Sequence, residues 1–325
     1  MTMMIGRVVA GVVMLWLACS AWADPLPSWR SGPVKTTITE FVETTTTPGD
    51  PNYLPESERV AVFDNDGTLW AEQPFYVQFA YAMERARNAE PGTLSEPLAK
   101  ALKAGDVGAI MESGADSLIE LLAVSHANLS VDEFQLDVAR WLSQARHPET
   151  GLPYTRMAYQ PMLELLRYLR DRRYRVYIVS GGGSDFIRAF SSELYGIPPN
   201  QVIGSLGNLE AVELDGRLVL MKRPGIAWLD DGLNKALAIE RVIGQRPVLA
   251  VGNSDGDYPM LVWTTEGEGP RLGVLVHHTD KTREYAYDRD SHIGKLDKAL
   301  DEVESRGWVR IDMARDWAQI YPQTP

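Results

Sequence analysis

Three short apolar runs stand out in the pattern of hydrophobic and polar positions along the chain. They lie at 59–63, 174–179 and 247–251, and each is followed by small and polar residues. A short run without alternation is typical of a strand that is buried on both faces of a parallel sheet. Because ligands bind beyond the carboxyl ends of such strands, we expect the three polar turns to converge on one site.

Two segments with helical periodicity alternate with these runs. Residues 160–171 and 235–243 repeat apolar positions three and four apart, and each segment leads directly into a strand. Helices that alternate with strands predict an α/β fold with a parallel sheet and right-handed crossovers. A further strand is predicted at 272–276, and residues 201–221 are predicted to form a hairpin that turns at an Asp-Gly pair.

The stretch 71–159 breaks this alternation. It contains helical patterns and no comparable strand run, so we expect a mainly helical cap domain inserted after the first strand. The α/β core would then comprise residues 58–70 and 160–325, and residues 24–57 would form an N-terminal lead-in with one amphipathic helix. The helices predicted for the cap span 75–87, 94–104, 117–124 and 131–144.

Residues 1–23 have the pattern of a secretory signal peptide. Arg7 precedes an apolar run at 8–17, which is shorter than the roughly twenty residues that a spanning helix needs. We therefore expect a periplasmic or secreted protein with no stable membrane association after cleavage. An uncleaved anchor and lipid attachment at Cys19, the single cysteine, are the alternatives.

The formal net charge of −12 narrows the possible partners. A surface with this excess of acid repels polyanions, so we expect no nucleic acid partner. Cleavage would also remove the single cysteine, which excludes disulfides, thiolate catalysis and cysteine metal sites from the mature protein.

Candidate chemistry begins where the first predicted strand ends. Asp64 and Asp66 are separated by one residue, so their side chains point the same way from an extended backbone. Two close carboxylates are tolerated at neutral pH when a divalent cation lies between them or when one carries a proton. Either state suits phosphoryl transfer, in which one carboxylate attacks phosphorus and the other protonates the leaving oxygen. Asp-Asn-Asp-Gly is also a common turn sequence, and taken alone the two interpretations are equal.

The sequence Asp-Asn-Asp-Gly-Thr-Leu at 64–69 resembles the first motif of the haloacid dehalogenase superfamily, in particular its phosphoserine-phosphatase-like branch. The resemblance covers residues 59–280 and implies a Rossmann-like core with a cap after the first motif. It implies that Ser180 binds phosphate through its hydroxyl group and that the backbone N–H of Gly181 assists. It also implies a lysine before the third strand, a position that Lys235 matches.

Lys222 is the rival candidate for this cation. It lies in Met-Lys-Arg-Pro-Gly, which predicts a loop, whereas Lys235 begins the helix that feeds the third strand. Because a phosphate dianion beside carboxylates needs a nearby positive charge, we prefer the lysine at the strand-feeding helix.

The resemblance also implies an acidic fourth motif, matched by Gly-Asn-Ser-Asp-Gly-Asp at 252–257, and here the chain departs from the family pattern. Asn253 stands where the resemblance implies an aspartate that binds the metal. An amide oxygen can coordinate Mg²⁺ but brings no charge, so weaker binding is expected. Asp255 is an alternative residue to complete the site. The predicted Mg²⁺ ligands are Asp64, Asp66, Asn253 and Asp257.

Together these features predict a Mg²⁺-dependent phosphatase that hydrolyses small organic phosphate monoesters through an aspartyl phosphate on Asp64. A lid over the site favours a small substrate, because it excludes polymers. One alternative is another reaction of the superfamily, namely phosphotransfer to an alcohol or hydrolysis of a phosphonate or halide. The other is a binding protein with a decayed metal site, which the amide of Asn253 motivates.

Overall fold

The computed structural model describes residues 24–87, 89, 92–112 and 115–323. The predicted signal peptide, residues 1–23, lies outside the described residues, so it stays a prediction. Within the described ranges, no helix combines the length and the apolar character needed to cross a membrane.

Eight strands of the described chain form one mostly parallel sheet. In chain order they are β1 Val60–Phe63, β2 Arg175–Gly183, β3 Val202–Leu214, β4 Arg217–Trp228, β5 Leu249–Gly252, β6 Leu272–Thr279, β7 Ala286–Tyr287 and β8 Val309–Asp312. Their spatial order is β4-β3-β2-β1-β5-β6-β7, and β8 also pairs with β6. Pairing is parallel from β3 to β6 and between β6 and β8, whereas β4 and β7 are antiparallel to their neighbours.

The helices of the described residues follow the predicted alternation. They are α1 Pro33–Thr46, α2 Val77–Arg87, α3 Glu96–Ala104, α4 Val107–Glu112, α5 Ala115–His126, α6 Val131–Leu142, α7 Gln160–Asp171, α8 Ser184–Arg188, α9 Ser191–Tyr195, α10 Leu233–Ile243, α11 Tyr258–Thr265, α12 Lys298–Glu302 and α13 Met313–Asp316. Helices α2 to α6 lie between β1 and α7, in the stretch expected to be helical, although α4 was not predicted. The domain boundaries at 71 and 159 stay predictions.

Both faces of the sheet are covered by helices. Because neighbouring residues of a strand point in opposite directions, β1 contributes side chains to both faces. Ala61 and Phe63 of β1 belong to the buried cluster that includes α1 and α7. Val60 and Val62 belong to the cluster that includes α10 and α11. All four side chains are fully buried, which explains the uninterrupted apolar run. The predicted α/β fold class is confirmed.

A long hairpin formed by β3 and β4 connects the sheet to the helical stretch. β3 pairs in parallel with β2 and then continues outward, where it pairs with β4 in antiparallel fashion. The backbone N–H of Asn128 donates to Lys222 O at 3.1 Å, and the N–H of Lys222 donates to Leu129 O at 2.8 Å. The connection between α5 and α6 is therefore tied to the hairpin by two backbone hydrogen bonds.

The predicted loop around Lys222 is wrong. Lys222 lies in β4, is 2% exposed and pairs with Asp185 at 2.5 Å, with its Nζ 4.6 Å from the centre of the Phe134 ring. Pro224 and Gly225 do not end the strand, because the pairing register shifts there and β4 is an edge strand, where proline is tolerated.

The burial of this ion pair predicts a large loss of stability when the lysine is removed. Lys222→Ala should lower the free energy of unfolding by about 2 kcal/mol, because Asp185 loses its buried partner and is left with the partly exposed Arg188 at 3.4 Å. Arg223→Ala is the matched control on the same strand, since its pair with Glu210 is exposed and should contribute no more than about 1 kcal/mol. Urea denaturation of both variants measures the difference, and equal losses would contradict the role of burial.

Candidate active site

The loop after β1 begins the candidate active site. The backbone N–H of Asp64 donates to Val251 O of β5 at 2.9 Å and extends the strand pairing past the end of β1. The chain then turns at Gly67, which has a φ of +74°. A Cβ atom at this position would collide with the side chains of Asn253 and Glu72, so only glycine fits the turn.

Lys235 links the first motif to the fourth. Its Nζ lies 2.7 Å from Asp64 Oδ1 and 2.5 Å from Asp257 Oδ1, and it donates to Val179 O at 3.1 Å. Burial alone would lower the pKa of Lys235, but Asp257 and Asp64 together raise this pKa above its ordinary value. The lysine is therefore a cation that holds one oxygen of Asp64, and Oδ2 of this carboxylate is left for chemistry.

Asp66 is oriented by a packed indole ring. Trp70 Nε1 donates to Asp66 Oδ1 at 2.8 Å. Trp70 is fully buried and stacks on Phe190 with ring centroids 4.7 Å apart, so the donor is fixed. Burial raises the pKa of Asp66 above its ordinary value, and burial together with Asp257 raises that of Asp64 well above its own.

The glycine-rich end of β2 forms another wall of the site. Ser180 is 1% exposed, and its Oγ accepts the backbone N–H of Gly182 at 3.0 Å. The carbonyl oxygen of Gly181 accepts the hydroxyl of Ser205 in β3 at 2.7 Å, which holds the turn in place. Ser180 and Gly181 line the same cavity as the two aspartates and Lys235. The structure thus brings these predicted residues together, and their roles stay predictions.

Gln78 of α2 joins the helical stretch to this turn. Its Oε1 accepts the backbone N–H of Gly183 at 2.8 Å, and its Nε2 lies 3.0 Å from His126 Nε2 in α5. His126 Nδ1 lies 2.6 Å from Leu122 O, so Nδ1 carries the proton and Nε2 accepts from Gln78. No sequence pattern marks these contacts, because the residues come from the three separate elements α2, β2 and α5.

Asn253, Asp255 and Asp257 of the fourth-motif loop face different partners. Asp257 binds Lys235 through Oδ1 and accepts two backbone N–H groups of the loop through Oδ2, at 2.9 and 3.0 Å. Asn253 faces the first motif, and its Oδ1 accepts the hydroxyl of Thr68 at 2.9 Å. Asp255 instead accepts three backbone N–H groups at the start of α12. The loop therefore places Asn253, and not Asp255, beside the first motif.

Glu72 is a further carboxylate of the cavity that the sequence reasoning missed. It is 2% exposed, and its Oε1 accepts Asn253 Nδ2 at 2.8 Å and the hydroxyl of Tyr287 at 2.7 Å. Burial raises the pKa of Glu72 well above its ordinary value, and the nearby Asp66 raises it further. Glu72 follows the first motif in a segment without helical or strand periodicity, so no pattern marks it.

The donor atoms around the first and fourth motifs fit a hard divalent cation. Asp64, Asp66 and Glu72 line the cavity with a single lysine, and Asn253 adds an amide oxygen nearby. Mg²⁺ prefers such oxygen ligands and is commonly bound by one or two carboxylates together with water. In the described part of the chain, no three side chains of His, Cys, Asp or Glu converge to hold a metal alone. Amide, backbone or water oxygens would therefore complete the coordination.

The cavity above these groups has a volume of about 240 Å³. The residues at the carboxyl ends of the strands form its polar floor. Its other side is formed by residues of the 71–159 stretch, which we call the helical side. A second cavity of about 90 Å³ adjoins it, since Gln78, Leu122 and Leu229 line both. Besides Glu72, the residues contributed from the helical side are Tyr76, Gln78, Phe79 and Leu122.

The fold and the site agree with a known family of hydrolases. The family model of haloacid dehalogenase-like hydrolases matches residues 61–262, which is more than half of the chain. The chain belongs to this family, and the resemblance seen in the sequence is confirmed. No curated protein matches the chain in sequence.

The solved structures that resemble this chain share little of its sequence. A conserved protein of unknown function from Anaerococcus prevotii DSM 20548 is 15% identical with a TM-score of 0.55, over 86% of this chain and 91% of that one. A protein of unknown function from Bordetella pertussis Tohama I is 15% identical with a TM-score of 0.46, over 79% and 99%. A phosphoserine phosphohydrolase-like protein from Francisella tularensis subsp. tularensis SCHU S4 is 16% identical with a TM-score of 0.40, over 76% and 98%. Only the first likeness supports the fold, and none of them bears on the substrate.

The buried state of His126 predicts how stability depends on pH. Burial, with a contribution from Lys222, lowers the pKa of His126 to about 4, whereas an exposed histidine titrates near about 6.5. The unfolded chain binds this proton more readily, so the contribution of His126 to the free energy of unfolding should fall as the pH drops from about 6.5 to about 4. The difference in that free energy between wild type and His126→Asn should change across this window, because all other titrating groups cancel. Urea denaturation at a series of pH values measures it, and a constant difference would contradict the prediction.

Proposed function

We propose that the protein is a Mg²⁺-dependent phosphatase that hydrolyses small organic phosphate monoesters through an aspartyl phosphate on Asp64. The observation that supports this most strongly is the arrangement of Asp64, which lines the cavity while Lys235 holds its Oδ1 at 2.7 Å. Asp66 and Ser180 line the same cavity, so a nucleophile, an acid and a phosphate-binding hydroxyl lie together.

The proposed reaction has two steps. First, Asp64 Oδ2 attacks phosphorus, the bond from phosphorus to the leaving oxygen breaks, and protonated Asp66 gives its proton to that oxygen. Next, the ionised Asp66 takes a proton from water, the water oxygen attacks phosphorus, and the bond from phosphorus to Asp64 breaks. Inorganic phosphate leaves, and both aspartates return to their starting states. Burial raises the pKa of both aspartates, so the assignment rests on geometry: the ammonium group of Lys235 holds Asp64 as a carboxylate, whereas the donor to Asp66 is the neutral indole of Trp70.

The other polar groups of the cavity are assigned to the phosphate. Lys235 compensates its charge, and the hydroxyl of Ser180 and the backbone N–H of Gly181 donate to its oxygens. Mg²⁺ would be held by Asp64, Asp66 and Asn253, and its charge would offset that of the phosphate and the nucleophile. Asp257 is assigned to holding Lys235 instead of the metal, because its Oδ1 lies 2.5 Å from Lys235 Nζ and its Oδ2 accepts two backbone N–H groups of its own loop.

The size of the cavity supports a small substrate. About 240 Å³ accommodates a phosphate group with a small organic substituent, and the adjoining cavity of about 90 Å³ offers limited further space for the leaving group. Phe79 and Leu122 give this side an apolar surface, whereas Gln78 supplies an amide. A polymer has no room in this enclosure.

Export to the periplasm or the medium is also part of the proposal. It is based on the pattern of residues 1–23 alone, with an apolar run followed by small residues before Asp24. N-terminal sequencing of the protein recovered outside the cytoplasm tests it, and an intact leader in that fraction would contradict cleavage.

Replacement of the nucleophile should abolish turnover. Asp64→Asn should reduce kcat for an aryl phosphate by about 10³-fold or more, because an amide cannot form the covalent intermediate. Asp301→Asn is the control, since Asp301 is exposed and pairs only with Arg289 on the surface. Hydrolysis is measured with Mg²⁺ and again with a chelator, and the proposal fails if Asp64→Asn stays active.

Asp66→Asn distinguishes the acid from the nucleophile in the same assay. Loss of general acid catalysis should lower kcat/KM by about 10² to 10⁴-fold for an alkyl phosphate, and by less for an aryl phosphate whose leaving group needs no proton. Equal losses for both esters would contradict the acid role. Product analysis in the presence of an added alcohol separates hydrolysis from phosphotransfer.

A further inference from the structure

We propose that Glu72 is a positioning residue that acts through Asn253 and supplies the negative charge that the fourth motif lacks. This inference rests on the proposed Mg²⁺ site. Asn253 brings no charge to that site, but its amide is hydrogen-bonded to a buried carboxylate, with Nδ2 2.8 Å from Glu72 Oε1. Asn253 would supply the coordinating oxygen and Glu72 the negative charge that a single aspartate would otherwise provide.

The contacts of Asn253 fix which way its amide points. The NH₂ group of Asn253 faces Glu72, whose Oε1 also accepts the hydroxyl of Tyr287 at 2.7 Å. The amide oxygen then faces the first motif, where it accepts the hydroxyl of Thr68 at 2.9 Å. A carbonyl oxygen has two lone pairs, so one is left for a cation beside the first motif. Asn253 is 1% exposed, and no rotation toward solvent is available to it.

A carboxylate behind the amide changes the strength of the ligand. A hydrogen bond to an ionised acceptor is roughly twice as strong as a neutral one and polarises the donor group. Carboxylates behind metal-binding side chains orient these ligands and raise their basicity. The oxygen of Asn253 therefore carries more negative charge than an isolated amide would, and a cation beside it also feels the charge of Glu72 directly.

No cation among the described residues pairs with Glu72, so its charge is available to a bound metal ion. Its two hydrogen-bond donors in the described structure are the neutral groups of Asn253 and Tyr287, and no salt bridge found among the described residues includes Glu72. An ionised carboxylate that is 2% exposed and has no cation partner is strongly destabilising. A cation bound from outside the chain removes this penalty. A role in packing alone would be served by glutamine, which can accept the same hydrogen bonds without the charge.

Glu72→Gln isolates the charge from the hydrogen bonds. The carbonyl oxygen of glutamine can still accept from Asn253 and Tyr287, so the fold and the amide orientation are kept. We expect the dissociation constant for Mn²⁺, an oxygen-preferring probe for the Mg²⁺ site, to rise at least tenfold in isothermal titration calorimetry. Glu164→Gln is the matched control, because Glu164 is 1% exposed but accepts hydrogen bonds from Ser28 and Gln160, away from the cavity. Its Mn²⁺ affinity should stay within a few-fold of the wild type.

Asn253→Asp in the Glu72→Gln background provides the rescue. The double variant moves the charge from Glu72 to the fourth motif, so it should restore Mn²⁺ affinity to within a few-fold of the wild type. Asn253→Asp alone places two carboxylates in contact. It should therefore lower Tm without metal, and Mn²⁺ should raise its Tm more than that of the wild type. This measurement tests the role of Glu72 even if Glu72→Gln does not fold.

Three outcomes would overturn the inference. They are an unchanged Mn²⁺ affinity in Glu72→Gln, a double variant as weak as Glu72→Gln, and a wild type that binds no Mn²⁺. Aryl phosphate hydrolysis in the same samples separates this from the proposed function. Hydrolysis that depends on Asp64, with unchanged metal affinity in Glu72→Gln, would refute only the role of Glu72. A wild type that neither binds Mn²⁺ nor hydrolyses the ester would refute both.

Discussion

The salt bridges of Lys235 hold the candidate active site together. This one ammonium group contacts Asp64 after β1, Asp257 in the fourth-motif loop and the carbonyl oxygen of Val179 in β2. Each of these buried charges would be costly alone, and each is stable because the others are present. The positions of the proposed nucleophile, of the fourth-motif loop and of α10 therefore depend on one another. This mutual dependence explains why chemistry carried by residues far apart in the chain can be set within one small cavity.

The sequence predicted those parts of the structure that local patterns encode. The apolar runs before Asp64, Ser180 and Asn253 correspond to β1, β2 and β5, because strands buried on both faces must be apolar throughout. The choice of Lys235 over Lys222 agrees with the geometry, since the first contacts Asp64 and the second contacts Asp185. A strand end and a helix start are features that a short window of sequence can show.

The remaining features depend on contacts between distant segments. Glu72 and Gln78 gain their positions from Asn253, Tyr287 and Gly183, and none of these partners is close in sequence. The segment around Lys222 is predicted as a loop because Pro-Gly usually ends regular structure, whereas a register shift in an edge strand accommodates it here. The motif predicts Asp257 as a metal ligand, and no sequence pattern shows that its side chain also bonds to Lys235 and to two backbone N–H groups of its loop.

The hairpin of β3 and β4 has a consequence for how molecules enter the cavity. Two backbone hydrogen bonds tie Lys222 of β4 to the connection between α5 and α6, and Gln78 ties α2 to the end of β2. The helical side is thus fastened to the core by these contacts in addition to its chain connections. A wide hinge motion would have to break both attachments at once. With these attachments in place, the shape of the cavity itself limits the cross-section of a molecule that can occupy it.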